Sequence, residues 1–457
     1  MTRSLELICL EELAENRVNE VLRSVVDGGH PLTIVDSPPG AGKTWLIEQL
    51  IGLAVLDCHL NVCCIASTNE QVEMLSRRCA ESFPIPRHQL LMREGREPSQ
   101  ALGPDIQLIH SATQIGGGPG VVFCTLAKCA ASLRHLVDGQ FDLMICDEAY
   151  QIKFGELNQV TGLCRQLVLV GDPGQLPPII RAEKTFFEAA DVRVHRPAPE
   201  EILAVHPDAL RVALPATRRL PSDTVRYLQP HMYPDNVFGS LVTEEQSRIS
   251  FLNKGLPEDA IDRALDLIED GASLLGLVLP RSKDAFLEVD EELTELMYAV
   301  VDRLDRRRAC DQDQSLLAPY RIGCIDPHVQ SGGALRERLG RRGLGGIRVD
   351  TPEIWQGGET DITIVLHPLA SCVKPSQFDL EPGRFTVMLS RHKRACILVG
   401  REGIDEQFDS YLHDCGVAAY GADDSTWKGF SAHRGIWQQL RGEGRILQIG
   451  PSDIRRS

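Results

Sequence analysis

The sequence predicts an α/β protein made of two doubly wound parallel sheets in tandem. Three observations lead there: short, continuously apolar, β-rich runs; helical stretches that separate them; and a second set of such runs in the second half of the chain. Strands buried on both faces read as unbroken apolar runs, and strands alternating with helices imply parallel βαβ units. In order, LTIVD (32–36) precedes a helical stretch from Lys43, and NVCCIAS (61–67) precedes one from about Glu70 to Phe83. GVVFCT (120–125), FDLMICD (141–147) and QLVLVGD (166–172) complete the first set, with GGGPG (116–120) as a loop. The second set begins with ASLLGLVL (272–279) and an amphipathic stretch, 284–304, carrying apolar residues from Phe286 to Leu304 largely at helical spacing. RIGCID (321–326), ITIVLH (362–367), RFTVML (384–389) and ACILVG (395–400) follow as further strands. The junction between the sheets is expected in the Pro- and His-containing stretch 190–215.

A length of 457 residues allows two or three domains, and 43% hydrophobic with 25% charged residues is ordinary globular composition. With 64 acidic against 48 basic residues the net charge is −16, which argues against a globally basic nucleic-acid coat protein but permits a local basic groove. Aromatic residues are only 5%, so base-stacking platforms are few. The 14 cysteines include no CxxC pair, so no metal-ligand set is expected. Cys64, Cys124, Cys146 and Cys324 lie in apolar runs and read as small buried hydrophobes of a reducing, cytoplasmic protein. The opening MTRSLELICLEELAENR is acidic and unlike a signal peptide, and no apolar run is long enough to span a membrane.

SPPGAGKT, Ser37 to Thr44, follows an apolar strand and precedes a helical run. This is a phosphate-binding loop with Ser in place of its first Gly. Pro39, Gly40, Ala41 and Gly42 let backbone N–H groups wrap phosphates, Lys43 reaches the outer phosphates, the Thr44 hydroxyl binds Mg²⁺, and Trp45 follows on the helix. In LMICDEAYQ, Asp147 and Glu148 end an apolar strand; Asp147 suits a hold on Mg²⁺, and Glu148 can orient or deprotonate an attacking water. In LVLVGDPGQLPP (167–178), Gln175 can sense a γ-phosphate.

The order of these pieces resembles superfamily 1 helicases, specifically the 5′-to-3′ branch with the nonsense-decay and RecD-like enzymes, over about residues 15–400. ASTNEQVEML (66–75) looks like motif Ia, VVFCTLA (121–127) like Ic, DEAYQ like II, GDPGQLPP like III and LPATRRLP (214–221) like IIIa. IGCIDPHVQ (322–330) looks like IV, VDTPEIWQGGETDITIV (349–365) like V, and FTVMLSRHKRACILVG (385–400) like VI.

The resemblance implies two RecA-like domains, here 1–205 and 206–405, with 406–457 as an extension packing on the second. It implies ATP and Mg²⁺ between them. The first domain is expected to supply Lys43, Thr44, Asp147, Glu148 and Gln175; the second, Arg391 as an arginine finger and Glu359 near the ribose. Arg218 is the further cation toward the γ-phosphate, with Arg219 competing for that role. Arg17 stands where the family places an adenine-reading Gln, which loosens the expected preference for ATP, and Lys393 is a second basic residue in motif VI. Single-stranded DNA or RNA is the implied partner, contacted by Ser67, Thr68, Asn69, Thr125, His328 and Thr351, whose small polar groups hold phosphates without reading sequence. Asn69 also reads as a helix cap. Short intervals between motifs leave little room for duplex-gripping insertions. The implied function is a nucleic-acid-stimulated ATPase that translocates, most simply 5′ to 3′. The alternatives are an ATP-switched interaction protein within a larger complex and a small-molecule P-loop kinase.

Overall fold

Eight strands pair in the first part of the chain: β1 (Leu32–Asp36), β2 (Asn61–Ala66), β3 (His88–Leu91), β4 (Gln107–Ile109), β5 (Gly120–Thr125), β6 (Phe141–Asp147), β7 (Cys164–Gly171) and β8 (Leu210–Ala213). The structure, a computed structural model, describes residues 5–178, 192–253, 259–282, 289–370, 375–414, 424–450 and 453. The sheet order is β4-β3-β5-β2-β6-β7-β1-β8, with every pairing parallel. Alternate residues of one strand feed opposite cores: Val35 and Cys64 pack on one face with Leu46, Ile47 and Phe123, while Ile34 and Cys63 pack on the other with Phe141 and Leu169. Burial on both faces is why these strands are apolar throughout.

The chain divides into two units, residues 1–173 with 177–216, and residues 174–176 with 217–457. The first unit runs past the expected boundary at 205 because β8 adds to the sheet edge beside β1. In the second unit, β9 (Ala216–Pro221) pairs with β10 (Gly239–Val242), and β11 (Ser250–Phe251) pairs antiparallel with β13 (Ala309–Cys310). The main sheet uses β12 (Leu274–Leu279), β14 (Ile322–Ile325), β15 (Arg348–Asp350), β16 (Thr360–Leu366), β17 (His392–Arg401) and β18 (Ile446–Gln448). Its order is β15-β14-β16-β17-β12-β18, again all parallel.

One expected strand is a helix. RFTVML lies in the helix Pro382–Leu389, where Pro382 sits in the first turn and the Glu381 carboxylate accepts from the Gly383 N–H. The helix is buried from Gly383 to Leu389, so its apolar run is as unbroken as a strand's; a short apolar run alone does not separate the two. The amphipathic stretch forms the helix Glu291–Arg306, with residues 283–288 outside the described set. The tail belongs to the second unit. Its helix Asp424–Gly442 buries Phe430, Ile436, Trp437 and Leu440, and β18 then joins the sheet edge beside β12. Gly429 permits this: a Cβ there would stand 1.6 Å from the Leu380 carbonyl oxygen.

Two buried polar features bear on the second unit's stability. Arg303 lies between Asp259, at 2.9 Å, and Asp262, with all three side chains no more than 2% exposed. The second feature is a set of neutral histidines. His433 stacks on Phe385 with centroids 3.8 Å apart, and His367 meets Trp437 edge-on. Both ring nitrogens of His433 lack hydrogen-bond partners among the described residues. Burial holds His367 down to about 3. Burial, with the Arg219 and Arg391 charges, lowers His392 to about 3. Burial, with His367 and Arg384, keeps His433 well below its ordinary value. Below about pH 6.5 the unfolded chain takes up these protons and the folded unit does not, so stability present above that pH is lost as pH falls toward 3. At pH 5.5 each histidine removes about 1.4 kcal/mol, roughly 4 kcal/mol for the three. Urea unfolding followed from pH 7.5 to 5.5 should show that decline, and His433→Phe should make it shallower. A flat profile would contradict the account.

Candidate nucleotide-binding site

The end of β1 leads straight into the glycine loop. The Ser37 N–H donates to the Gly171 carbonyl at 2.8 Å, fastening the loop to the end of β7. Gly40 (φ 74°) and Gly42 (φ 92°) adopt left-handed backbone that a side chain would strain, and Gly42 caps the helix Lys43–Gly52. The loop thus opens onto a helix N-terminus, where free N–H groups and the helix dipole favour an anion. Thr44 is the helix's second residue, and Trp45, the third, leaves 48% of its surface exposed.

In the sheet β7 lies between β1 and β6, so Lys43 reaches across the tip of β7 to the end of β6. Its ammonium lies 3.0 Å from Asp147 Oδ1 and pairs with Glu148 Oε1. Burial disfavours the Lys43 charge, but attraction to Asp147 and then Glu148 outweighs it, so the ammonium is held above the ordinary lysine range. Asp147 is shifted up, chiefly by burial, against the pull of Lys43. Its Oδ1 accepts from the Glu148 N–H at 2.9 Å. Glu148 has φ 53°, a left-handed conformation uncommon outside glycine, which aims its carboxylate back at Lys43.

A supporting bracket escaped sequence reasoning. Asp36, the last residue of β1, accepts from the Tyr150 hydroxyl at 2.6 Å and from Arg211 Nε on β8 at 2.7 Å. It ties the loop strand to the turn that carries Glu148. The only signal in the sequence was Tyr150 inside DEAYQ; β8 itself went unread.

Arg17 is exposed and pairs with Glu20 at 2.6 Å along its own helix, Leu5–Val26. Of the residues expected on the nucleic-acid side, Thr68 is the cap of the helix Asn69–Ser82: its hydroxyl accepts from the Gln71 N–H and the Gln71 side chain accepts from the Thr68 N–H. The cap therefore stands one residue before Asn69, correcting the expectation there. Ser67 and Thr68 are exposed just beyond β2. Thr125 ends β5, is 8% exposed, and accepts from the Lys128 N–H at 3.2 Å.

In the second unit, Gln175 packs with residues of that unit rather than the first, where it was expected. Leu176 joins the core around Tyr227 and Tyr233, and a Cβ on Gly383 would stand 2.5 Å from the Gln175 carbonyl. Glu359 accepts from Arg219 Nε at 2.8 Å and lies 2.6 Å from Lys393 Nζ. Burial raises its pKa, but Arg219 and Lys393 prevail and hold the carboxyl below its ordinary range. Arg219 is thereby engaged, and Arg218 is the exposed member of the pair. Arg391 is 1% exposed, and its guanidinium donates to the Val387 carbonyl at 3.2 Å and the Ser390 hydroxyl at 2.8 Å. His328 stacks on Phe378 with centroids 5.8 Å apart, and Thr351 begins the short helix Pro352–Trp355.

The donor set fits a nucleoside triphosphate with Mg²⁺: left-handed glycines, a lysine and a threonine follow β1, and two carboxylates end β6, so they gather at the carboxyl ends of interior strands. A family model described as an AAA domain matches residues 113–183. Regulator of nonsense transcripts 1 from Caenorhabditis elegans is 21% identical over 468 residues, covering 90% of this chain and 40% of that protein. The Arabidopsis thaliana homolog is 23% identical, covering 86% of this chain and 33% of the relative. The chain thus spans well under half of these curated relatives. Among solved structures, an Arterivirus nonstructural protein 10 helicase in complex with DNA matches at TM-score 0.43 and 11% identity, over 86% of this chain and 65% of that one. The PRRSV helicase matches at 0.41 and 13%, over 84% and 55%. Among the described residues no helix is long and apolar enough to cross a membrane.

Proposed function

We propose that this chain, a P-loop ATPase of the superfamily 1 helicase kind, hydrolyses ATP to move along single-stranded nucleic acid, 5′ to 3′. The observation that carries the proposal is the Lys43 ammonium held at Asp147 and Glu148 behind a left-handed glycine loop. In this reading the loop N–H groups and Lys43 bind the β- and γ-phosphates. Thr44 and Asp147 hold Mg²⁺, which neutralises phosphate charge. With Lys43 turned to the phosphates, the Glu148 carboxylate orients the attacking water and takes its proton. Arg218 and Arg391 supply cations to the γ-phosphate, Gln175 senses its presence, and Glu359 receives the ribose. For Arg391 this requires release from the Val387 and Ser390 acceptors, which makes it a residue whose engagement depends on conformation.

Ser67, Thr68, Asn69, Thr125, His328 and Thr351 then contact the strand. Ser67, Thr68, Thr125, His328 and Thr351 follow or end parallel strands, where an open α/β sheet places its ligands. The experiment is displacement of streptavidin from biotinylated oligonucleotides. ATP-dependent release from the 3′ end and not the 5′ end is expected; release from the 5′ end alone would overturn the direction. A net charge of −16 favours a second reading, an ATP-switched remodelling subunit with weak affinity for nucleic acid. ATP hydrolysis with no displacement from either end would support that reading.

A further inference from the structure

The cysteines carry more than their spacing suggested. Cys63 on β2, Cys124 on β5 and Cys129 in the helix Leu126–Ala131 bring their sulfurs within 4.8 Å of one another, and all three are at most 1% exposed. Cys124 and Cys129 are close in sequence but not at CxxC spacing, and Cys63 comes from a distant strand, so no metal-ligand pattern announced them. We propose that these thiols form a binding site for a trivalent, three-coordinate thiophilic ion, with arsenous acid as the matching ligand.

Three arguments select that class. The first is geometry. Sulfurs bound about 2.3 Å from a pyramidal three-coordinate centre, at angles of about 100°, stand about 3.5 Å apart, so closure from within 4.8 Å asks less than about 1 Å of movement from each side chain. The second is ligand number. Among the described residues no fourth Cys, His, Asp or Glu has a ligand atom within 4.8 Å of all three sulfurs; Cys164 is near enough to feel the Cys129 charge but stands outside the group. Structural zinc sites take four ligands. The third is charge. The sulfurs belong to an apolar core cluster that includes Ile65, Val122, Leu126 and Phe141, and the cation acting on Cys124, Lys128, donates to the His110 carbonyl at 2.9 Å. Three thiolates around a divalent ion would leave a net negative charge in this apolar setting, and around a monovalent ion a larger one. A trivalent centre leaves none, avoiding the cost of a buried charge. The step balances without an oxidant: three As–O bonds break, three As–S bonds form, and the three thiol protons leave with the hydroxides as three waters. Arsenic and sulfur keep their oxidation states.

The location gives the site leverage. Occupancy would cross-link β2 and β5, whose carboxyl ends carry the proposed strand contacts Ser67, Thr68 and Thr125, to the helix that Thr125 caps. That consequence rests on the function proposed above; binding itself does not, and it is tested without nucleic acid or ATP.

The full chain is incubated with arsenite, with time for local opening of the buried pocket, then desalted and weighed by native mass spectrometry. One arsenic per chain with loss of three hydrogens is expected, and arsenic K-edge absorption should show three sulfur neighbours. Replacing the exposed Cys9 and Cys58 by Ser should leave the adduct unchanged. Cys129→Ala should abolish it or convert it to a two-sulfur adduct that retains one hydroxide. No adduct, a first shell of fewer than three sulfurs in the unaltered chain, or a full adduct in a folded Cys129→Ala variant would overturn the proposal.

Discussion

Lys43→Ala and Glu148→Gln are each expected to lower steady-state ATP turnover by about 10²- to 10⁴-fold, the range set by losing a positioned base or a preorganised charge. The two should differ in kind. Glu148→Gln keeps the size and most of the polarity of the side chain but cannot take a proton, so kcat should fall while KM for ATP stays within a few-fold. Lys43→Ala removes a phosphate ligand as well, so KM should rise with the loss of kcat. It also strips Asp147 and Glu148 of the cation that lies between them. Asp147 is already shifted up by burial, and without Lys43 it should move further toward the neutral acid, weakening any hold on a metal ion. Phosphate-release rates over a range of ATP concentrations read both parameters. Unchanged kcat in either variant would remove Lys43 or Glu148 from the chemistry.

Arg303→Met is expected to cost the second unit about 3–5 kcal/mol, the range for removing one member of a buried ion group. Arg303 donates to Asp259 and Asp262, and Arg307 adds a 2.8 Å bond to Asp266 on the same helix. With Arg303 gone, two carboxylates remain in a site that is 1–2% exposed: Asp259 loses its cation and Asp262 keeps only Arg307, at 3.5 Å, so at least one carboxylate must ionise without a close partner or bind a proton. Against a typical total of about 5–15 kcal/mol the loss would leave the unit marginal at neutral pH. Asp259 must be treated apart from Asp262, because it also caps the helix Ala260–Glu269 by accepting from the Asp262 N–H. Adding Asp262→Leu and Asp259→Asn to Arg303→Met should therefore restore much of the stability: apolar contact replaces one charge, and the cap survives as an amide. Urea midpoints of the single and triple variants test this. A single variant within about 0.5 kcal/mol of the parent, the spread of ordinary surface substitutions, would contradict the account.

The glycine loop and the Asp147–Glu148 pair were legible because their chemistry is local: a strand, a tight turn and a helix start must be contiguous for the loop to work. The central strands were legible for a similar reason, since burial on both faces leaves an unbroken apolar signature in β1, β2, β5, β6 and β7. Edge strands lack that signature. β4 and β15 are three residues each and β18 is half-exposed, so the sheets were read as narrower than they are. RFTVML was misread because a helix buried on all sides carries no amphipathic period. Asn69 was one residue off as a cap because Thr68 and Asn69 are both cap formers, and Gln71 pairs with the former. The Asp36 bracket and the three-cysteine pocket were invisible for a different reason. Each depends on a partner far away in sequence, Arg211 and Tyr150 for Asp36 and Cys63 for Cys124 and Cys129, and only the strand order brings it in.

The most direct measurement of the central claim is the rate of Mg²⁺-dependent ATP hydrolysis with and without oligo(dT) or poly(U), at low salt because phosphate contacts weaken steeply as salt rises. That rate is expected to climb at least about tenfold with one of the two polymers, fall back as salt is added, and disappear in Glu148→Gln. Hydrolysis that proceeds at one rate whether or not either polymer is present would contradict the claim.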